Sequence, residues 1–505
     1  MLYRLCAVPR WKCLCWAIVI ALAFFAIVGV INNYYDSDTY FIITTGRYIR
    51  AEGFPDTNPF TIHAGMNMPV HQWLYDVIVS FFYDVAGSGG LLLLALILLV
   101  LLSVSLFSYI GCFTSDVTLA AAVTAVFLWW LRPWFSIRPA FLSMVIISLE
   151  QCCLFRYRDD KKKIFLVIPV LLSLLEVNLH TSLWVMYAVM VIPHIIPAYL
   201  PKKGRIGVWI RESLADRRDL MICFVLILAV GFVNPYGLKG MIYPLLSYKT
   251  VTSGISINEL VSPSVFSAYG ILIILSAMLL IIFLRGKKTG DIDLRDLALL
   301  SGTFFLAGMH IRNSWFLALG VIPVLLAVLR PLPEKLMGKN VIMPDDTDAA
   351  ELHKQKVFRL EILLFAMILI VVCISRIDYS PTGPEDCTPQ VAADYLDALD
   401  KEDIVLFTGF NNGAYMEFRG YKTYIDARPE IYSAVFNEEN DIYSEYTKVY
   451  KGEIEYDEWI KKYGFTHMIV FEKCLNAYLQ GCEDYRVVFS DGHNVLYEAV
   501  DFQNG

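Results

Sequence analysis

Long apolar runs alternate with short polar segments over most of the chain, which is the pattern of a polypeptide that crosses a membrane many times. Eleven runs approach the length of a membrane span. They cover residues 13–31, 90–110, 117–131, 139–155, 164–177, 182–200, 220–234, 266–284, 296–309, 314–330 and 360–376. The pattern therefore predicts an all-α polytopic membrane bundle of about eleven transmembrane helices, occupying residues 1–376.

The remaining residues, 377–505, have a different pattern. Short strand-like runs (IVLF at 404–407, YIDA at 424–427, HMIVF at 467–471) alternate with helix-like runs such as PQVAADYLDAL and EYDEWIKKYG. At the end of the chain, YRVVFS, the dipeptide Asp491-Gly492 and HNVLYEAV have the form of a β-hairpin. We predict a small α/β domain here.

The basic residues set the predicted orientation. If the N-terminus is cytoplasmic, the inside loops hold 23 Lys and Arg residues and the outside loops hold 7. This bias matches the positive-inside rule. It predicts a multi-pass protein of the plasma membrane, with its N-terminus in the cytoplasm and the C-terminal α/β domain on the extracytoplasmic side.

Composition supports a membrane protein and narrows its chemistry. The chain is 57% hydrophobic and only 18% charged, outside the range of ordinary soluble domains. We expect no nucleic-acid partner. None of the eleven cysteines forms a CxxC pair, which argues against a zinc or redox motif. Cys474 and Cys482 could pair in an oxidising compartment.

Polar side chains within or beside the apolar runs collect on the predicted outer side. They include Asp36, Asp38, His63, His71, Gln72, Arg138, Glu176, Asn178, His180, Asn234, Glu259, His310, Arg312 and Asn313. Ionisable groups at membrane depth are costly and usually line a cavity or a substrate path. The first outside loop, residues 32–88, is also long enough to carry two amphipathic helices. We predict one outward-facing polar cavity.

Several short motifs resemble the GT-C class of integral membrane glycosyltransferases. They are DSDTYFIITTGRYI, GFPDTNPFT, HQWL, IRPAF, EVNLHTSLW, NPYG, INELVSP, HIRNSWF and IDARPEIY. The resemblance is to the bacterial branch similar to the protein mannosyltransferases and the lipopolysaccharide-core galacturonosyltransferases. Two positions depart from that pattern: Ile42 stands where many relatives have His, and Gln72 where relatives often have Glu.

The resemblance implies transfer of a sugar from a polyprenyl-phosphate donor to an envelope glycan, lipid or protein at the outer face of the bilayer. Asp36 or Asp38 would be the general base. The candidates for binding the phosphate are Arg138, His180, His310 and Arg312. Further cavity residues are His71, Gln72, Asn178 and Glu259. No metal ligand and no cofactor is assigned, although the two aspartates could hold Mg²⁺ or Mn²⁺.

Simpler interpretations compete with these roles. The two aspartates could cap a helix, Asn178 and His180 could join two helices, and Arg312 could reach the interface without further function. NPYG is expected to end a helix, and the Asp426 and Arg428 of IDARPEIY to form an ion pair.

Two other functions also fit the pattern. A transporter or flippase of a lipid-linked or anionic substrate would gather polar residues in a bundle, but we find no internal repeat of spans. Ile42 and Gln72 are compatible with a catalytically inactive scaffold for envelope assembly.

Overall fold

A computed structural model describes residues 10–197, 206–251, 261–264, 266–286, 293–329, 389–437 and 441–502. The helices before residue 330 are Arg10–Asn33, Asp38–Glu52, Trp73–Ile110, Val117–Leu131, Pro139–Asp160, Ile164–Leu179, Thr181–Val189, Ile192–Ile195, Ile206–Val230, Leu238–Val251, Ala268–Gly286, Leu294–Met309 and Phe316–Leu329. Ten of the eleven predicted spans overlap helices in the described residues. The last, 360–376, lies outside the described residues, and the count of eleven stays a prediction.

Four helices are long and apolar enough to cross a membrane. Within the described ranges they are Trp16–Asn33, Trp73–Ile110, Val117–Trp134 and Pro139–Asp160. The predicted span 182–200 is interrupted, because one helix ends at Val189 and a four-residue helix, Ile192–Ile195, follows. Pro193 lies in that second helix and has no N–H to continue the first.

The first predicted outside loop, residues 32–88, contains two helical segments, as the sequence indicated. Asp38–Glu52 packs against the first half of Trp73–Ile110, which bends at Ala86 and Gly87, where Gly87 has φ +57°. Gly46 allows the close approach, since a Cβ there would lie 2.0 Å from the carbonyl oxygen of Asp76. This packing fixes the start of the Asp38–Glu52 helix beside the membrane helices.

The C-terminal region is a small α/β layer. Its helices are Gln390–Leu396, Phe410–Phe418, Ala434–Asn437, Ile442–Lys451, Tyr456–Tyr463 and Lys473–Leu479. Its strands are β1 Leu406–Thr408, β2 His467–Val470, β3 Tyr485–Ser490 and β4 Val495–Ala499, in the order β1-β2-β4-β3. β1 and β2 are parallel, and the other pairs are antiparallel. The predicted terminal hairpin is confirmed, with Gly492 at φ +88° in its turn.

One expectation for this region was wrong and one open question is answered. YIDA does not form a strand: only Thr423, just before it, makes isolated bridges, and the carboxylate of Asp426 accepts from the Arg428 backbone N–H at 2.7 Å, which turns the chain. Cys474 and Cys482 are both free thiols, so the disulfide that the sequence allowed is not formed.

The first loop is hydrogen-bonded to the C-terminal layer. The Ile62 N–H donates to Thr423 O at 3.0 Å, and the Thr423 N–H donates to Phe60 O at 2.9 Å. Asn58 also donates to the Tyr432 hydroxyl at 3.3 Å. The loop and the C-terminal layer are therefore joined next to the helix that begins at Asp38.

Candidate functional site

A cavity of about 760 Å³ lies where the membrane helices, the first loop and the C-terminal layer meet. Seven of the residues predicted for the site line it. They are Asp38, His71, Gln72, Arg138, His180, His310 and Arg312. Asp36 and Asn178 are not part of the lining, and Glu259 lies outside the described residues. The structure thus brings together residues from positions 38 to 312 of the chain.

One side of the cavity is formed by two aspartates and an arginine. Arg138 Nε lies 2.6 Å from Asp36 Oδ2, and Arg138 Nη2 lies 3.1 Å from Asp38 Oδ2. Arg138 precedes Pro139, the first residue of its helix, in extended backbone with φ −114° and ψ 151°. Asp36 and Asp38 lie at the start of one helix and Arg138 at the start of another. The packing of these two helices brings the three side chains together.

Asp36 and Asp38 differ in their contacts. Asp36 Oδ1 accepts from the N–H groups of Asp38 and Thr39, at 3.1 and 3.2 Å, and from the Thr39 hydroxyl at 3.2 Å. Asp36 therefore caps the first turn of the helix. Asp38 instead faces the cavity.

The aspartate pair is a poor divalent-metal site. Carboxylate oxygens are the ligands that Mg²⁺ prefers, but here both carboxylates are bound to the Arg138 guanidinium. Across the described ranges, no three His, Cys, Asp or Glu side chains converge as they would around a metal ion. We derive no step of the chemistry through a metal.

The His310 and Arg312 side of the cavity has a different electrostatic character. A short 3₁₀ turn, Ile311–Asn313, joins the helices Leu294–Met309 and Phe316–Leu329 and presents both side chains to the cavity. Among the described residues, no carboxylate lies within ion-pair distance of Arg312. The guanidinium charge of Arg312 is thus uncompensated there, as a site for an anion requires.

His180 and Asn178 lie close in sequence but have separate environments. His180 is buried, lines the cavity and has its Nδ1 atom 3.0 Å from Ser143 Oγ. Asn178 accepts from Trp73 Nε1 at 2.9 Å and donates to Val233 O at 2.9 Å. Asn178 therefore joins helices, as the simpler interpretation proposed, and lines a neighbouring groove.

The sequence interpretation missed the contribution of the C-terminal layer. Arg428 and Glu430 line the cavity together with Tyr243 from the Leu238–Val251 helix. The Tyr243 hydroxyl donates to Glu430 Oε1 at 2.6 Å. IDARPEIY was among the motifs that carried the family resemblance, and that was the signal for these residues. A short Asp-x-Arg motif alone indicated only an ion pair.

Arg428 is a buried cation held by acidic groups. It pairs with Asp426, lies 3.1 Å from Glu417 Oε2, and has its guanidinium 4.9 Å from the centre of the Phe41 ring. Burial opposes the charge, but the carboxyl groups of Asp426 and Glu417 outweigh it and raise the pKa of Arg428. Burial, reinforced by the Asp426 charge, raises the pKa of Glu417 well above its usual value. Arg428 is thus compensated, as Arg138 is.

The pKa of His71 depends on its burial and on the charges around this cavity. Its ring stacks on Tyr243, with centroids 4.5 Å apart. Burial lowers the pKa of His71 to about 3, with further contributions from the positive charges of Arg428 and Arg312. His71 is therefore neutral at neutral pH.

Comparison with known proteins establishes the fold. No family model matches the chain, and no curated protein matches it significantly in sequence. Among solved structures, it is similar to the crystal structure of ArnT from Cupriavidus metallidurans bound to undecaprenyl phosphate. That likeness covers 97% of this chain and 98% of the other, at 12% sequence identity and a TM-score of 0.52. It confirms the GT-C-like fold that the motifs predicted.

Proposed function

We propose that the chain is a membrane glycosyltransferase that moves a sugar from a polyprenyl-phosphate donor to a hydroxyl of an envelope acceptor at the outer face of the bilayer. The observation that carries this proposal is Arg312, which has no acidic partner among the described residues, in a cavity that also holds an aspartate. The fold shared with a protein whose crystal structure contains undecaprenyl phosphate supports it.

In the proposed reaction, Asp38 accepts the proton of the acceptor hydroxyl. The hydroxyl oxygen forms a bond to the anomeric carbon of the donor sugar as the bond from that carbon to the phosphate oxygen breaks. The polyprenyl phosphate leaves with the bonding electron pair. Proton removal by a positioned carboxylate contributes about 100- to 10,000-fold to such a rate.

Arg312 and His310 stabilise the leaving phosphate, because donors that already face the developing charge need no reorganisation. Arg138 has a different role: it holds Asp36 and Asp38 in place. Gln72 donates to Asp76 Oδ1 at 2.9 Å, so it supports the cavity wall. This division assigns base and phosphate binding to different sides of the cavity.

Purified protein in detergent can test the reaction. A panel of polyprenyl-phosphate hexoses and pentoses is incubated with the protein and an extract of envelope glycans and lipids, and free polyprenyl phosphate is measured. We expect acceptor-dependent release with at least one donor. Absence of acceptor-dependent release from the whole panel, together with passage of a labelled donor across proteoliposomes, would favour the transporter alternative.

A further inference from the structure

A second group of ionisable side chains lies deeper in the helical bundle and has no part in the proposed reaction. Glu150 and Glu176 are fully buried, on the packed helices Pro139–Asp160 and Ile164–Leu179. His194 is buried as well. Ionisable groups at this depth are expensive, so they usually serve a function.

Several polar atoms of these side chains lack direct partners, unlike those of their polar neighbours. Both carboxyl oxygens of Glu176, Oε1 of Glu150 and Nδ1 of His194 have no hydrogen-bonding partner among the described residues. Nearby, Trp184 Nε1 donates to Ser173 Oγ at 2.9 Å, and the Tyr187 hydroxyl donates to Pro169 O at 2.6 Å.

Buried polar atoms are nearly always satisfied by protein or by ordered water. The four atoms without a partner therefore mark positions for internal water. A polar site of this kind can hold such water, because each molecule needs two to four polar partners.

The group is continuous with the cavity at one end. His180 lines the cavity, and its Nδ1 atom lies 3.0 Å from the hydroxyl of Ser143. Glu176 lies four residues before His180, about one helical turn, so its side chain is on the same side of its helix as the imidazole that contacts Ser143. Ser143 and Glu150 are seven residues apart, two helical turns, so they share one face of the Pro139–Asp160 helix.

At the other end the group approaches the opposite side of the membrane. Gln151 Oε1 lies 3.0 Å from His194 Nε2, and Gln151 Nε2 lies 3.5 Å from Glu150 Oε2. Arg158 follows on the same helix and pairs with Asp293 at 2.5 Å and Asp296 at 2.7 Å. From Ser143 to Gln151 the helix rises by about 12 Å, and Arg158 lies about 10 Å further along the same helix.

We propose that Ser143, Glu176, Glu150 and His194, with the internal water they hold, form a path that conducts protons between the cavity and the predicted cytoplasmic side, and that Gln151 holds Glu150 and His194 in position. At each step a proton leaves one oxygen or nitrogen atom as the next arrives, so no group keeps an added charge. An isolated buried carboxylate is too costly to persist, and a neutral carboxyl can both donate and accept. The path needs no sugar donor and is independent of the proposed transferase activity.

Proton flux into liposomes tests the path. The full chain is reconstituted in vesicles that contain a pH-sensitive dye, and a potassium gradient with valinomycin drives protons inward. We expect flux above that of protein-free vesicles, and a fall to that level in both Glu176→Gln and Glu150→Gln. The exposed Glu453→Gln should conduct like the unmodified protein.

Ser143→Ala is a second variant, chosen because it removes only one hydroxyl. Correct folding of each variant is checked by monodisperse elution and by the melting temperature. Flux equal to that of protein-free vesicles in the unmodified protein would overturn the proposal. Unchanged flux in the folded variants would overturn it too.

Discussion

Arg138 and Arg312 line the same cavity, yet their surroundings differ. Arg138 lies against the carboxylates of Asp36 and Asp38, whereas no carboxylate of the described residues lies within ion-pair distance of Arg312. A guanidinium with acidic partners is a positioning group, and one without them attracts an anion. Cationic residue type alone therefore does not distinguish the two arginines, whereas the local charge balance does.

The largest expected effect is on the acidic side. Asp38→Asn should lower the rate of sugar transfer by about 100- to 10,000-fold, because it removes the proposed base and keeps the size of the side chain. Donor turnover at saturating substrate measures it, and Asp84→Asn, at the exposed pair with Arg47 and Arg50, is the control. Full activity of a folded Asp38→Asn protein would remove the base assignment.

Arg312→Ala should lower the transfer rate by about 100- to 1,000-fold, the usual cost of losing one preorganised donor to a developing charge. Arg312→Lys should recover part of that loss, because it restores the charge without the planar guanidinium. The matched control is Arg132→Ala, which removes an arginine that binds Trp129 O and does not line the cavity. Equal losses for Arg312→Ala and Arg132→Ala would contradict the distinction.

His71 gives a readout of the same charge difference through stability. Its folded-state pKa, about 3, lies below the unfolded value of 6.5. Above pH 6.5 both states are neutral and His71 adds no pH dependence. As the pH falls from 6.5 towards 3, only the unfolded state gains the proton, so stability decreases. The part due to His71 at pH 5 is about 2 kcal/mol.

Melting temperatures at pH 7.5 and pH 5 test this dependence. Part of the pH-dependent loss should disappear in His71→Gln. At pH 5 the folded His71 is still neutral, so Arg312→Ala and Arg138→Ala should both leave the loss nearly unchanged. Only as the pH approaches 3 should Arg312→Ala reduce the loss, because removal of that charge raises the pKa of His71. The same pH dependence in His71→Gln and the unmodified protein would rule out His71 as the sensor.

The smallest expected effect concerns the helix cap. Asp36→Asn keeps the capping oxygen and removes only the charge that faces Arg138, so it should cost less than about 1 kcal/mol of stability and should leave measurable transfer activity. Thermal unfolding in detergent and the donor turnover assay measure the two effects. A folded Asp36→Asn protein as inactive as Asp38→Asn would show that the aspartates share the base role.

Much of the fold followed from periodicity, because a membrane requires long apolar helices and a hairpin requires its turn residues. Helices at ten of the predicted positions and the hairpin around Gly492 could be predicted for that reason. The break after Val189 was missed, since apolar content hides the effect of Pro193. The two free cysteines show that spacing alone does not determine a disulfide.

The sequence predicted which residues line the cavity better than it predicted the contacts that each of them makes. The side of the membrane on which each segment is predicted to emerge was enough to group Asp38, Arg138 and Arg312. Whether an arginine has a carboxylate partner depends on how distant helices pack, and no local sequence pattern contains that information. Arg428 was overlooked as a cavity residue for the same reason: its exposure to the cavity depends on the docking of the C-terminal layer against the helix that contains Thr45, whose hydroxyl lies 3.3 Å from Arg428.

Binding of undecaprenyl phosphate to the purified protein tests the central claim most directly. Affinity is measured for the unmodified chain, Arg312→Ala and Arg132→Ala in the same detergent. Our account predicts binding that Arg312→Ala abolishes or greatly weakens and that Arg132→Ala preserves. Equal affinity in all three proteins would show that Arg312 does not hold the phosphate and would contradict the account.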